Sequence, residues 1–433
     1  MITGQFDVEF TRRGTVHDPG QVRALLDGLS AASDLLVLAH GWNNDMAEAQ
    51  ELYDALLGNL RRLRQPTSGP GSRIAVLRVF WPSKRFADAD LVPGGGAAST
   101  DAENQAALLD ALTALKHDPD RLGQSGEDPV RAAAIDRAIA LVDDLDGSDD
   151  ARREFVLRIR AVLDPDQVHE DDASREFFEL EPEELFDRFG QAVPLELEVD
   201  QGGAADVDAG GAAFLGDLLS GTRAAARRIA NFATYYQMKV RAGAVGSGGV
   251  ATTLVRVRER DPALAVHLVG HSFGGRLVTA AAAQQDPGGA PVTLSLLQAA
   301  FSHNGLAEKF DGVRDGAFRT VLRDQRISGP ILITHTKRDK AVGIAYPLAS
   351  RIASDNSSGL GDRKDPYGGM GRNGALHTPE VDDSVAELGD DGYSYDFVPG
   401  RVHNLDADAT IRSHGDVTSP AVANVVLHAV TTR

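Results

Sequence analysis

The stretch Gly270-His271-Ser272-Phe273-Gly274 constrains this chain more than any other. Before it runs Ala265-Val266-His267-Leu268-Val269, a short apolar segment of β character. After it come Gly275-Arg276-Leu277-Val278-Thr279 and a run of alanines, which favours helix. A serine at a sharp strand-to-helix turn is held in a strained backbone conformation that small neighbours tolerate. Gly270 and Gly274 leave room for the helix to pass close to the strand. In a chain with 45 glycines the bare G-x-S-x-G pattern arises easily by chance. The flanking strand and helix are what make Ser272 a candidate nucleophile.

The surrounding sequence alternates strand and helix patterns. Phe6–Phe10 alternates like an edge strand, and a helix is expected around Gln21–Leu29. Asp34–Ala39 is continuously apolar after its first residue, as in a buried parallel strand. It ends at His40-Gly41-Trp42-Asn43-Asn44, and a helix is expected over Met46–Leu63. Further strands are expected at Ile74–Trp81, Val292–Ala299, Pro330–His335 and Tyr393–Val398. Helices are expected over Arg223–Ala242, Gly249–Arg260 and Ala421–Val430, the last with Ser419 as N-cap and Pro420 in its first position. Residues 354–392, polar and Gly-rich, read as a long surface loop. This alternation predicts an α/β protein, a mainly parallel central sheet covered by helices on both faces.

Charge divides the chain. Residues 101–210 carry 30 acidic against 10 basic side chains, a local net of −20, while the rest is near +1. Within 88–211 apolar residues recur at helical spacing: Leu108, Leu109, Leu112 and Leu115; Ile135, Ile139 and Val142; Phe155, Ile159, Val162 and Leu163; Phe177, Phe178, Leu185 and Phe189. This predicts an acidic insertion of about four amphipathic helices in a core formed by 1–87 and 212–433. Gly-rich stretches at 93–96 and at 202–203 and 210–211 read as its hinges. The acidic balance argues against nucleic acid as a partner. No apolar run is long enough for stable membrane insertion. Met1–Arg13 lacks the layout of a signal peptide, which favours the cytoplasm. Cysteine is absent, so disulfides and thiolate metal sites are excluded. Asp143-Asp144-Leu145-Asp146-Gly147 fails as a calcium loop, because Val142 and Arg153 stand where carboxylates are required. No metal or cofactor is expected.

A serine hydroxyl needs a base, and the base needs an orienting acid. Asp339 follows the Pro330–His335 strand, at the end of the sheet where ligands bind. Two histidines compete for the base, His403 and His414, both placed by this reading between the last strand and the last helix. Gly415 permits a tight, exposed turn at His414, which favours it. The backbone N–H groups of Phe273 and Trp42 are candidate oxyanion donors. His40, Asn43, Trp81, His271 and His303 are candidate pocket residues, and Trp81 is equally suited to packing between strands.

With these residues in place the chain resembles an α/β-hydrolase over about residues 1–87 and 212–433. The order Ser272, Asp339, His414 and the turn His40-Gly41-Trp42 carry the resemblance. His40-Gly41-Trp42-Asn43-Asn44, Phe80-Trp81-Pro82-Ser83 and Tyr236-Gln237-Met238-Lys239 resemble, more narrowly, a bacterial branch of largely uncharacterised serine hydrolases. The resemblance implies cleavage of carboxylic esters or thioesters through an acyl-enzyme, and a cap formed by 88–211. The large insertion after Trp81 departs from the compact family pattern. A peptidase or amidase on the same triad is the alternative, with a small acyl compound or a peptide as substrate. The rival from another class is a non-catalytic module whose acidic helices dock a partner.

Overall fold

The computed structural model describes residues 2–42, 44–63, 73–83, 101–124, 126, 128–165, 174–190, 221–288, 292–339, 342 and 362–432. The expected hinges at 93–96 and around 202–211 lie outside these residues, as does Asn43. The strands are β1 (Ile2–Glu9), β2 (Asp34–Ala39), β3 (Ile74–Phe80), β4 (Ala265–His271), β5 (Val292–Leu297), β6 (Ile331–His335) and β7 (Val402–Asp406). They form one sheet in the order β1-β3-β2-β4-β5-β6-β7, and every pairing is parallel. The helices are α1 (Pro19–Gly28), α2 (Met46–Leu63), α3 (Asp101–Lys116), α4 (Pro129–Ala140), α5 (Asp149–Arg160), α6 (Ser174–Glu179), α7 (Pro182–Gly190), α8 (Thr222–Ala244), α9 (Ala251–Arg260), α10 (Phe273–Ala282), α11 (Arg319–Arg323), α12 (Met370–Asn373) and α13 (Pro420–Thr431). The protein is therefore of the α/β class.

Side-chain alternation builds the two layers. Leu35, Val37 and Ala39 of β2 join Leu77 and Val79 of β3 and Leu268 of β4 in a core shared with α8, α9 and α10. Leu36 and Leu38 point the other way and meet Tyr53, Leu56 and Leu57 of α2 and Val425 and Val426 of α13. A strand covered on both faces has no polar position to spare, which is why β2 reads as an unbroken apolar run. The helix ends follow local chemistry. Asp18 accepts from Gly20 N ahead of Pro19, and Ser419 accepts from Val422 N ahead of Pro420.

From β2 the chain continues to β3 on one side, whereas from β4 it continues to β5 on the other. The reversal falls between β2 and β4, at whose carboxyl ends Ala39 pairs with Gly270; in open parallel sheets such a switch point is where ligands bind. The turns that leave these two strands carry His40-Gly41-Trp42 and Ser272.

The acidic segment forms helices on the β1 side of the sheet. Leu108, Leu112, Ile135, Phe155, Ile159, Phe177, Leu185 and Phe189 are buried in the same core as α8. Each such side chain contributes about 1.5–3 kcal/mol by leaving water. Exposed pairs such as Arg137–Glu154 and Arg153–Glu183 are screened by solvent and add little. One buried charge cluster ties the helices to the sheet. Asp118, in the loop after α3, receives Arg12 from the loop after β1 at 2.6 Å, Arg131 of α4 at 3.6 Å and Arg241 of α8. Arg241 also donates to the carbonyl of Pro82, just beyond β3.

Two expectations need correction. Tyr393–Val398 is not a strand. Its alternation is real, since Tyr395 and Phe397 are buried. Its backbone nevertheless runs outside the sheet, with Val398 N donating to His403 Nε2. The last strand is β7, whose polar sequence Val-His-Asn-Leu-Asp masks it. Residues 362–392 are no surface loop either. Met370 and Ala375 are buried, and backbone bonds from Val402 to Glu380 and from Leu388 to Asp406 lay this segment along the free edge of β7. Covering an edge protects unpaired N–H and C=O groups.

Removing one member of a buried ion cluster strands the others. Asp118→Ala is expected to lower stability by about 3–5 kcal/mol, read from the urea midpoint and slope. A loss below about 1 kcal/mol, the scale of an exposed pair, sinks the anchoring role.

Candidate active site

Ser272 directly follows β4 with φ +56 and ψ −124, a conformation that L-residues avoid. Neighbouring backbone compensates. Ser272 N donates to Leu297 O at 3.1 Å, and its carbonyl accepts from Gly275 N at 2.9 Å and Ala300 N at 3.0 Å. β5 can supply bonds on both sides because Gln298 turns the chain, with φ +46. Gln298 is itself held by Thr334, whose hydroxyl serves both its N–H and its side-chain oxygen.

Close backbone approach fixes the adjoining turns. A Cβ on Gly274 would lie 2.2 Å from Ala39 O, and one on Gly41 would lie 2.8 Å from Ser272 Cβ. The candidate oxyanion turn is thus pressed against the candidate nucleophile, and the Trp42 ring meets Phe273 edge-on at 5.9 Å. Tyr235 of α8 flanks Phe273 at 5.3 Å. Tyr235 lies outside every motif of the sequence, and only the helical spacing of α8 marks its buried face.

Asp339 is fully buried at the end of β6. Its Oδ2 accepts from His414 Nδ1 at 2.8 Å, and its Oδ1 accepts from Val342 N at 2.8 Å. Its turn is braced by Asp408, which accepts from Thr336 Oγ1 at 2.6 Å and Lys337 N at 2.9 Å. Burial pushes the Asp408 carboxyl up, but these bonds outweigh it and leave the pKa lowered. Nothing in the sequence separates Asp408 from other loop aspartates. His414 sits on the loop between β7 and α13 with its side chain 13% exposed. Its carbonyl accepts from His271 Nε2 at 2.9 Å.

Asp339 therefore bonds to His414 and not to His403. His403 is buried within β7, three residues before the strand ends, against Phe397. His40, Trp81 and His303 are buried. His40 stacks on Trp81 at 5.7 Å, and the Trp81 indole donates to His40 O. His303 bonds to Asn373 and helps fix residues 362–378. Burial lowers the pKa of His40 to about 4 and of His303 to about 3. His271 is likewise lowered to about 3, by burial and by the nearby His414. A cleft of about 390 Å³ lies elsewhere, at the β6–β7 edge, lined by His335, Arg363, His377, Asn404 and Asp406 among others. Ser272, Asp339 and His414 do not line it.

The chain matches no family model, no curated protein and no solved structure.

Burial of these histidines makes stability depend on pH. Unfolded, His40 and His271 titrate near 6.5; folded, they stay neutral to about 4 and about 3. Between those values the unfolded chain binds more protons. Stability therefore falls as pH drops below about 6.5, by up to about 1.4 kcal/mol per pH unit for each histidine, and levels off below the folded values. His40→Gln is expected to flatten this limb in urea titrations between about pH 7 and pH 4.5. An unchanged slope defeats the assignment. Separately, Gly41→Ala is expected to cut any serine-dependent turnover by about 100-fold, since a displacement near 1 Å has that effect. Wild-type turnover in that variant is incompatible with the tight approach of the two turns.

Proposed function

We propose that this chain is a serine hydrolase of the α/β-hydrolase type that cleaves carboxylic esters or thioesters through an acyl-enzyme. The observation that carries the reading is the 2.8 Å bond between His414 and the buried Asp339, on a loop bonded through its backbone to the residue before Ser272. Independent support comes from the strained conformation of Ser272 at the carboxyl end of a central parallel strand. The order serine, acid, histidine along the chain agrees with the same type.

With Nδ1 engaged by Asp339, the Ser272 proton passes to Nε2 of His414 as Oγ adds to the substrate carbonyl. Asp339 holds the imidazole in the required tautomer and stabilises the imidazolium. Backbone N–H groups of Phe273 and Trp42 are assigned to the developing oxyanion. The proton then moves from Nε2 to the leaving alkoxide or thiolate, which departs and leaves an ester on Ser272. Water, deprotonated by His414, adds to that ester; the acid is released and Ser272 recovers its proton. Esters and thioesters are favoured because their leaving groups require less help than an amine. The cap role of 88–211 is part of the same proposal. Its support is the run of aromatic contacts Phe177–Phe232, Phe232–Tyr235, Tyr235–Phe273 and Phe273–Trp42, which leads from α6 to the candidate oxyanion turn.

A fluorophosphonate probe tests the reading. Wild type is expected to be labelled and Ser272→Ala is not; absence of label on folded wild type rejects the proposal. His414→Ala and Asp339→Asn are each expected to lower turnover by about 10⁴-fold, with His403→Ala retaining it. The opposite ranking of the two histidines reverses the assignment of the base. A panel of acyl esters and peptide amides separates an esterase from a peptidase.

A further inference from the structure

We propose that His271 is a positioning residue for His414, a role that rests on the serine hydrolase reading. The 2.9 Å contact between His271 Nε2 and the His414 carbonyl has only one possible polarity, because a carbonyl cannot donate. Nε2 must therefore carry the proton. Asp339 fixes the His414 ring through Nδ1, and His271 fixes the His414 backbone. Together they leave the imidazole little freedom to swing or tilt. Other bonds of this loop include Arg412 N to Asp416 Oδ2, Asp416 N to Ser413 O, Val417 N to Gly415 O and Asn59 to Thr418 O.

Two further observations separate this role from simple packing. His271 Nδ1 is buried and has no partner among the described residues. An apolar side chain would fill the same space without stranding a nitrogen, so the retained imidazole points to its other nitrogen as the useful one. The two rings lie 4.8 Å apart, so a charge on His271 would oppose formation of the His414 imidazolium. Burial keeps His271 neutral and removes that conflict. His271 adjoins Ser272 in sequence, so one bond couples the nucleophile strand to the base loop.

The experiment compares His271→Leu with His271→Gln, whose amide N–H reaches the place of Nε2. With p-nitrophenyl acetate, the Leu variant is expected to lose about 100-fold in kcat with KM changed by less than about twofold. Fluorophosphonate labelling should slow by the same factor, and the Gln variant should recover most of it. Histidine-selective ¹⁵N NMR on wild type is expected to show the Nε2–H tautomer at His271. The His414 Nδ1–H signal should shift in the Leu variant and return in the Gln variant. Equal losses in both variants, full activity in the Leu variant, or an Nδ1–H tautomer overturns the inference. An unlabelled wild type defeats the hydrolase reading instead. The NMR tautomer still decides the His271 contact in that case, and it does so even if the Leu variant does not fold.

Discussion

Everything at the carboxyl edge of the sheet depends on how closely two turns approach each other. The turn after β2 and the turn after β4 leave no room for a side chain at Gly41 or Gly274. A methyl group at Gly274 would collide with Ala39 O, and one at Gly270 with Gly274 O, each at 2.2 Å. β2 and β4 are neighbours that send the chain in opposite directions. Strain at Ser272 is sustained because its N–H and its carbonyl are both bonded to the chain that leaves β5. The kink at Gln298 is part of that support, so one left-handed residue holds another.

A second dependence runs sideways. The helices of the acidic segment present negative outer faces, yet they are fixed by apolar burial and by buried carboxylates, Asp118 foremost. Asp118 gathers arginines from the loop after β1, from α4 and from α8. The cluster welds the helical layer to the sheet at its β1 side. Tyr367, from the segment covering the far edge, reaches Glu176 of α6 at 2.7 Å. The helical layer is therefore held from two directions.

Much of the α/β framework was legible because parallel strands buried on both faces read as unbroken apolar runs. Asp34–Ala39 and Met46–Leu63 have the bounds that periodicity predicts. The pairing of Asp339 with a histidine was legible from chain order, since both lie on loops at strand ends. The Gly415 turn favours His414 over His403, but what keeps His403 away from Asp339 was not legible. It depends on β7 running through Val402–Asp406, and β7 looks polar because it is an edge strand covered by another segment. Tyr393–Val398 misled for the converse reason: side chains can alternate in and out of a core without their backbone joining a ladder. The roles of His271, Asp408 and Gln298 were equally invisible. Each acts through a hydrogen bond or a dihedral angle between residues far apart in the chain, and neither composition nor period records such a bond.

The position of the helical segment between β3 and β4 has a consequence for the order of assembly. The central β2–β4 pairing joins residues 34–39 to residues 265–270, across everything that forms α3 to α9. Contacts between neighbouring helices such as α3 and α4 close early, whereas the packing of α3 on α8 and the central pairing must wait for the intervening chain. During synthesis β1, β2 and β3 emerge first and expose the edge of β2 that β4 will later occupy. Until β4 arrives, that edge is an open template for pairing with another chain. The same crossing that brings the two turns together thus makes the nascent N-terminal sheet the stage of greatest exposure to misassembly.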